Sequence, residues 1–505
     1  MSAAALLIIV AGAIWLVAAS SYSRQAVWFL MLWIPVQGWV QLNVFNDSSA
    51  TVLLYEFQII GIYAIFAIRA ARSPQGLALP PALRLAIPFV AWALLLVPYS
   101  VSTNGVILTV LGLRTYLLPL PLLWIGYHMF TARRQLETVT WLLMLQLAPI
   151  AVVTMAQFGG LTSTSGAVFS AAPTGYVYAG GVIRPPGTFS APGHLGMYIL
   201  FAIPFALGLL GLQVPLSKRA GFVIGLAGAT VALMANTQRA TMVLLVVALP
   251  LIPLVARRRG AMLKTVSAVI VILGGAYIGS QVTGEAFRER VASISRDLDL
   301  TLVANPMERM ADALREPWWG GGLGIASPGA TRLEPEPVMG FASDISRRTP
   351  IKPAESFMAA LVYQTGIAGL VFFYLFIAAL MYRSLQAVRA CRTTDFGLLT
   401  AALFSYQIAI LLQSWAYDPL HYPPTRVFFW LWTGALLSLP RLVATAPTHE
   451  RVSAGRVPAG AARRLTPAPI PSPAIARARL ARTGDVRRRG LPHRPGPVTK
   501  IESER

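Results

Sequence analysis

Charge is scarce in this chain. Asp, Glu, Lys and Arg make up only 12% of its 505 residues, about half of what a soluble protein carries. Apolar residues make up 55%. Burying that fraction in a water-soluble core would leave too little polar surface, so composition alone places the chain among polytopic membrane proteins. Cysteine is almost missing: Cys391 stands alone, which excludes an internal disulfide and any cysteine-built metal site. Histidine occurs five times, at His128, His194, His421, His449 and His493, and no pair has metal-ligand spacing. No metal and no cofactor are expected. The first apolar run, from Ala3 to Ala19, lacks a basic segment before it and reads as a retained helix rather than a cleaved signal.

Acidic residues are outnumbered, giving a formal net charge of +22. That sign invites nucleic acid as a partner, but the distribution argues against it. Residues 441–505 hold 14 Lys and Arg against four Asp and Glu, and much of the remaining excess sits in short connections between apolar runs. This placement is what the positive-inside bias produces. Apolar runs long enough to cross a bilayer fall near 3–20, 25–41, 52–70, 83–99, 106–130, 138–158, 195–213, 220–236, 240–256, 261–279, 356–382, 397–414 and 426–445. The expected fold is an all-α polytopic membrane protein of 12–13 transmembrane helices. Its parts are an N-terminal bundle (1–279), one large extracytoplasmic loop carrying short helices (280–355), C-terminal spans (356–445) and a disordered basic tail (446–505).

The connections alternate in charge. Arg24, Arg69 with Arg72, Arg133 with Arg134, Lys218 with Arg219, Arg257-Arg258-Arg259, and Arg383 with Arg389 and Arg392 form the basic set. The intervening connections show no basic excess; residues 280–354 hold nine basic and ten acidic side chains. The alternation assigns the basic set and the tail to the cytoplasm, where the tail would brush anionic membrane lipid. In the large loop, Gly284 to Leu300 has the spacing of an amphipathic helix. Asn305 reads as the cap of a second helix over Met307–Arg315, with Pro306 at its first position. Pro317-Trp-Trp-Gly-Gly-Gly-Leu-Gly324 closes that helix; no Gly-Lys-Ser/Thr follows, so it does not read as a nucleotide loop.

Several charges on the outward side need a reason. Arg239 sits in the tight turn of an apolar hairpin, where it either snorkels to headgroups or grips an anion. Arg184 precedes Pro-Pro-Gly187-Thr188-Phe189 in an irregular loop, with an ordinary polar loop as the alternative. Arg114 lies about two turns inside its span, with a structural pair to a carboxylate such as Glu56 as the alternative. Glu355 stands at the mouth of the span that begins at Ser356; Asp418, His421 and Arg426 lie on the same side. Guanidinium forks suit a diphosphate, and a carboxylate close by suits proton removal from an attacking hydroxyl. The residues alone point to an outward-facing site for an anionic, membrane-embedded substrate.

Four pieces resemble the O-antigen ligase and polysaccharide polymerase superfamily of integral-membrane glycosyltransferases. They are Arg184-x-x-Gly187-Thr188-Phe189 followed by Pro192-Gly193; Thr237-Gln238-Arg239-Ala240; Arg309 through Pro317-Trp-Trp-Gly-Gly-Gly-Leu-Gly; and Glu355-Ser356 with Gly366-Ile-Ala-Gly369. The resemblance implies transfer or polymerisation of an undecaprenyl-diphosphate-linked glycan onto a glycan or lipid acceptor, without metal, at the outer face of the cytoplasmic membrane. It also implies other polysaccharide-assembly proteins as partners. By the same resemblance Arg184 and Arg239 hold the diphosphate, with Arg114 and Arg309 as further substrate-binding candidates, and residue 355 is the catalytic base. The family usually has His there and this chain has Glu, which favours a polymerase or a ligase of another surface glycan over a lipopolysaccharide ligase. Two other readings stay open: a membrane transporter of a small anion, and an inactive scaffold of a polysaccharide export complex.

Overall fold

The computed structural model describes residues 22–43, 50–72, 79–159, 178–179, 182–236, 238–257, 304–327, 356–422 and 424–445, with a few isolated positions between them. The protein is an all-α polytopic membrane protein. Nine helices among the described residues are long and apolar enough to cross a membrane. The first two helices described over their whole length are α1 (Ser23–Asn43) and α2 (Ala50–Arg72), of 21 and 23 residues. The nine spans are α3 (Pro81–Asn104), α4 (Val106–Met129), α5 (Arg133–Phe158), α6 (Pro192–Leu209), α7 (Leu216–Asn236), α8 (Arg239–Ala256), α10 (Phe357–Cys391), α11 (Gly397–Ala416) and α12 (Thr425–Thr445), with the short α9 (Asn305–Ala313) before α10. At 1.5 Å rise per residue, about 20 residues cover the hydrocarbon core, and these lengths meet that need. The expected spans at 3–20 and 261–279, the amphipathic helix at 284–300 and the tail lie outside the described residues. The chain divides into two units, Met1–Ala446 and Pro447–Arg505; the helices belong to the first.

Two details differ from the sequence reading. The span expected at 83–99 runs from Pro81 to Asn104 and is made of three short helices, Pro81–Arg84, Ile87–Leu95 and Val97–Asn104. Pro88 and Pro98 sit in the first turns after each interruption, where the missing N–H and the ring break the helical ladder. The cap of α9 is Ala304 rather than Asn305.

α6 and α11 are the innermost helices, each with 83% of its spanning window buried. Phe201 and Phe205 stack with centroids 4.7 Å apart, and Tyr406 and Trp432 close the cluster around them. At the end of the bundle that carries the basic connections, cations are matched by carboxylates. Arg133 bonds Glu137 at 2.8 Å and Asp395 at 2.6 Å, and Lys218 bonds Glu137 at 2.9 Å. This network ties the start of α5 to the first turn of α7 and to the loop before α11. A two-residue hairpin, β1 (Tyr178–Ala179) with β2 (Val182–Ile183), pairs antiparallel and delivers the chain to Arg184.

Candidate functional site

The segment after β2 is held from three sides. Gln157 brackets Gly187, donating to its carbonyl at 2.9 Å and accepting from its N–H at 2.8 Å. Asn236, the last residue of α7, donates to the carbonyls of Pro185 (2.9 Å) and Pro192 (3.1 Å). Thr188 enters α1: its hydroxyl donates to the Pro35 carbonyl at 2.5 Å, and its own carbonyl accepts the Trp39 N–H at 2.7 Å. Those two α1 groups are the ones a regular helix would join to each other. A side chain at Gly38 would come within 2.1 Å of the Ser190 nitrogen, so α1 admits the segment only because glycine is there. The Gly-Thr-Phe piece is therefore a staple, and Arg184 projects from its rigid start.

Arg239 is the first residue of α8, directly after the break that follows Asn236. A cation at a helix N-terminus meets the positive end of the helix dipole, an unfavourable placement unless an anion joins it. Arg184 and Arg239 lie within electrostatic reach of one another. Burial first, and then the charge of Arg239, hold the Arg184 guanidinium below its ordinary pKa, while Tyr417 acts in the opposite direction. The Arg184 Nε is buried without a hydrogen-bond partner, and among the described residues no carboxylate pairs with this side chain. The contrast with Arg133 and Lys218 at the other end is direct.

Tyr417 connects these cations to α10. Its carbonyl accepts the Phe357 N–H at 3.0 Å; two residues earlier, the Trp415 carbonyl accepts the Ser356 hydroxyl at 2.7 Å. Ser356 in turn caps α10, accepting from Ala359 N–H at 3.3 Å. Glu355 lies outside the described residues, one residue before this anchored cap. Next to Tyr417, Asp418 bonds His421 Nδ1 at 2.6 Å, and both are buried. Burial raises the Asp418 carboxyl above its ordinary value, opposed by His421 and Arg426. The His421 ring packs on Tyr116 and Phe357, with centroids 5.0 and 4.8 Å away. His194, in the first turn of α6, meets the Ser190 hydroxyl at 3.0 Å and the Tyr422 ring at 5.6 Å. Compared with known proteins, the chain matches no family model and no curated protein at a significant level.

The structure brings together Arg184, Arg239 and the start of α10. Two other candidates have partners of their own. Arg114 is ion-paired with Glu56, the structural alternative that its position within a span allowed. Arg309, on α9, lies near Tyr363, whose hydroxyl donates to Asp312 at 2.5 Å. The Pro317–Gly324 run has its own task. α10 is broken at Gly366, where φ is 68° and ψ is −174°. A side chain there would come within 2.0 Å of the Trp318 carbonyl. The break frees carbonyls that the run and α3 satisfy: Gly321 N–H donates to Tyr363 O at 2.7 Å, and the Trp92 indole donates to Thr365 O at 2.8 Å. Leu323 N–H goes to Ser100 Oγ and Gly324 N–H to Gln364 Oε1, at 2.8 and 2.7 Å. With these N–H groups taken, the run plugs a broken helix and has none of them left for a phosphate.

Charge in the sequence does not mark Tyr417, His194, Asn236 or Gln157. Tyr417 adjoins Asp418 in a connection already marked by charge, which is the one available signal.

Proposed function

We propose that the protein is a membrane glycosyltransferase that takes a glycan from an undecaprenyl-diphosphate carrier and passes it to an acceptor hydroxyl, in assembly of a surface polysaccharide. The observation that carries this reading is the convergence of Arg184 and Arg239 beside Tyr417, next to the anchored start of α10 that Glu355 precedes. Two guanidiniums at one helix mouth suit the two phosphates of a lipid diphosphate, each fork bonding oxygens in its plane. In the proposed step the acceptor oxygen bonds the anomeric carbon and gives its proton to the Glu355 carboxylate. The bond from that carbon to the diphosphate oxygen breaks, and the departing charge settles on Arg184 and Arg239, which stabilise it most as it develops. The resemblance of the surrounding pieces to O-antigen ligases and polymerases supports the same chemistry. The site would face the periplasm or exterior from the cytoplasmic membrane, on the side opposite the basic connections.

In cells, Arg239→Ala and Glu355→Gln are each expected to lower glycan transfer by roughly 10²–10³-fold, with lipid-linked glycan accumulating at matched expression. A ladder collapsing to single repeats identifies a polymerase; loss of attachment at unchanged length identifies a ligase. Wild-type glycan in both variants refutes the assignment.

One observation favours a second reading. A span broken about 14 Å below its start, as α10 is at Gly366, is a device of anion transporters. Against it, the Tyr363 and Thr365 carbonyls at the break accept from Gly321 and Trp92 rather than line a path. Anion flux into liposomes holding the purified protein, abolished by Arg239→Ala, would establish the transporter.

A further inference from the structure

A second group of arginines converges at the far end of α12 from the candidate site. Arg426 and Arg441 are 15 residues apart on that helix, so roughly 22 Å separates the two ends. Arg24 at the start of α1, Arg69 in the last turn of α2 and Arg441 line one cavity of about 410 Å³, together with His128 from the end of α4. Four helices distant in sequence supply these groups, so the cluster is built by the fold and is not a run of basic residues in one loop. Among the described residues lining the cavity there is no Asp or Glu. The lining is mixed: Phe66 and Phe130 sit beside the cations. Arg441 is fixed in place, its guanidinium carbon 4.1 Å from the centroid of Tyr127.

We propose that this cavity seats the phosphodiester headgroup of an anionic phospholipid. Guanidinium forks match the unesterified phosphate oxygens, and the phenylalanine rings match the glycerol and first methylenes. A small soluble anion would use the cations but not the rings. In a bilayer spanned by α4 and α12, the ends of α1, α2, α4 and α12 would lie at headgroup level, which gives the lipid direct access. The bound headgroup would tie the α1–α2 hairpin to α4 and α12. This site is separate from the proposed transfer site and stands whether or not that reading holds.

The test is native mass spectrometry of the purified full-length protein with phosphatidylglycerol or phosphatidylcholine added at equal concentration. Wild type should retain phosphatidylglycerol selectively. Arg24→Gln and Arg441→Gln should each lower that retention roughly fivefold, and further together. Arg24→Lys should recover most of it, while Arg383→Gln, outside the cavity, should change nothing. Unaltered retention in Arg24→Gln and Arg441→Gln overturns the proposal. So does equal retention of both lipids, or displacement of the lipid by millimolar glycerol phosphate, which would assign the cavity to a soluble anion. If the double variant fails to fold, the two single variants decide the question on their own.

Discussion

Arg184 and Arg239 repel one another, and the burial of Arg184 adds the cost of desolvation. Arg184 gains nothing in stability from this arrangement, because replacing it with a neutral group would relieve both the repulsion and the desolvation. The pair makes sense when an anion completes it. Arg184→Gln is therefore expected to raise the melting temperature of the ligand-free protein or leave it unchanged, while removing activity. A drop of several degrees would mean Arg184 has a structural partner instead. Asp418 offers a pH test. Burial raises its carboxyl, so the folded protein keeps that proton to higher pH than the unfolded chain does. Its contribution is complete below the ordinary carboxylate value of about 4 and is lost as pH rises through the raised value. Asp418→Asn does not titrate, so its stability relative to wild type should grow as pH climbs from about 4. Melting curves in detergent across that range check this; a wild type that gains on the variant would show the carboxyl is lowered instead. At this scale the sequence showed its charges well, since an arginine in an apolar chain is conspicuous. It offered Glu56 as the partner of Arg114 but could not choose between that pair and substrate binding, because Glu56 sits on another helix. Tyr417 carries no charge, and its neighbour Asp418 is the only mark it leaves in the sequence.

Elements explain why the resemblance pieces have their shape. Gly187-Thr188-Phe189 is a staple into α1, and Gly366 is the break that receives Trp318. Gly366→Ala forces a side chain into a left-handed backbone against a carbonyl, at a cost of about 1–3 kcal/mol for the conformation alone. It should lower the melting temperature and loosen the Pro317–Gly324 run, read as faster amide exchange at Gly321 and Gly324. Unchanged melting and exchange would mean the break is not held by this contact. Gln364→Met removes the acceptor of Gly324 N–H and Ser327 Oγ and the donor to Tyr116. Each orphaned buried group costs about 1–3 kcal/mol, so this near-isosteric change should destabilise more than Gly366→Ala; equal or greater stability than wild type would contradict the network. The sequence located most of these helices to within about five residues because apolar length is a local property. α10 instead continues past its expected end at 382 to Cys391, because its last turns are polar and carry Arg383 and Arg389. The break at Gly366 was not legible, because glycine is common in spans and its reason lies in Trp318, brought there by the fold. The interruptions of α3 were carried by Pro88 and Pro98 but looked like an ordinary apolar run.

Across the whole molecule, two ends differ in kind. One holds the ion-pair network of Arg133, Glu137, Lys218 and Asp395 beside the arginine-lined cavity; the other gathers Arg184, Arg239 and Tyr417. The alternation of basic connections reads the first end as cytoplasmic. In a chain with Cys391 replaced, a cysteine at Thr237 should react with an impermeant maleimide in intact cells, and one at Arg257 should react only after lysis. The reverse pattern would invert the orientation. The central claim is that the Arg184–Arg239 end transfers glycan from a lipid diphosphate. Its most direct measurement is release of undecaprenyl diphosphate from a defined lipid-linked glycan by the purified protein, with and without acceptor. Acceptor-dependent release by wild type, and its loss in Arg239→Ala with melting temperature unchanged, is the result predicted. No release by a folded wild-type protein with acceptor present, or equal release by Arg239→Ala, would contradict the claim.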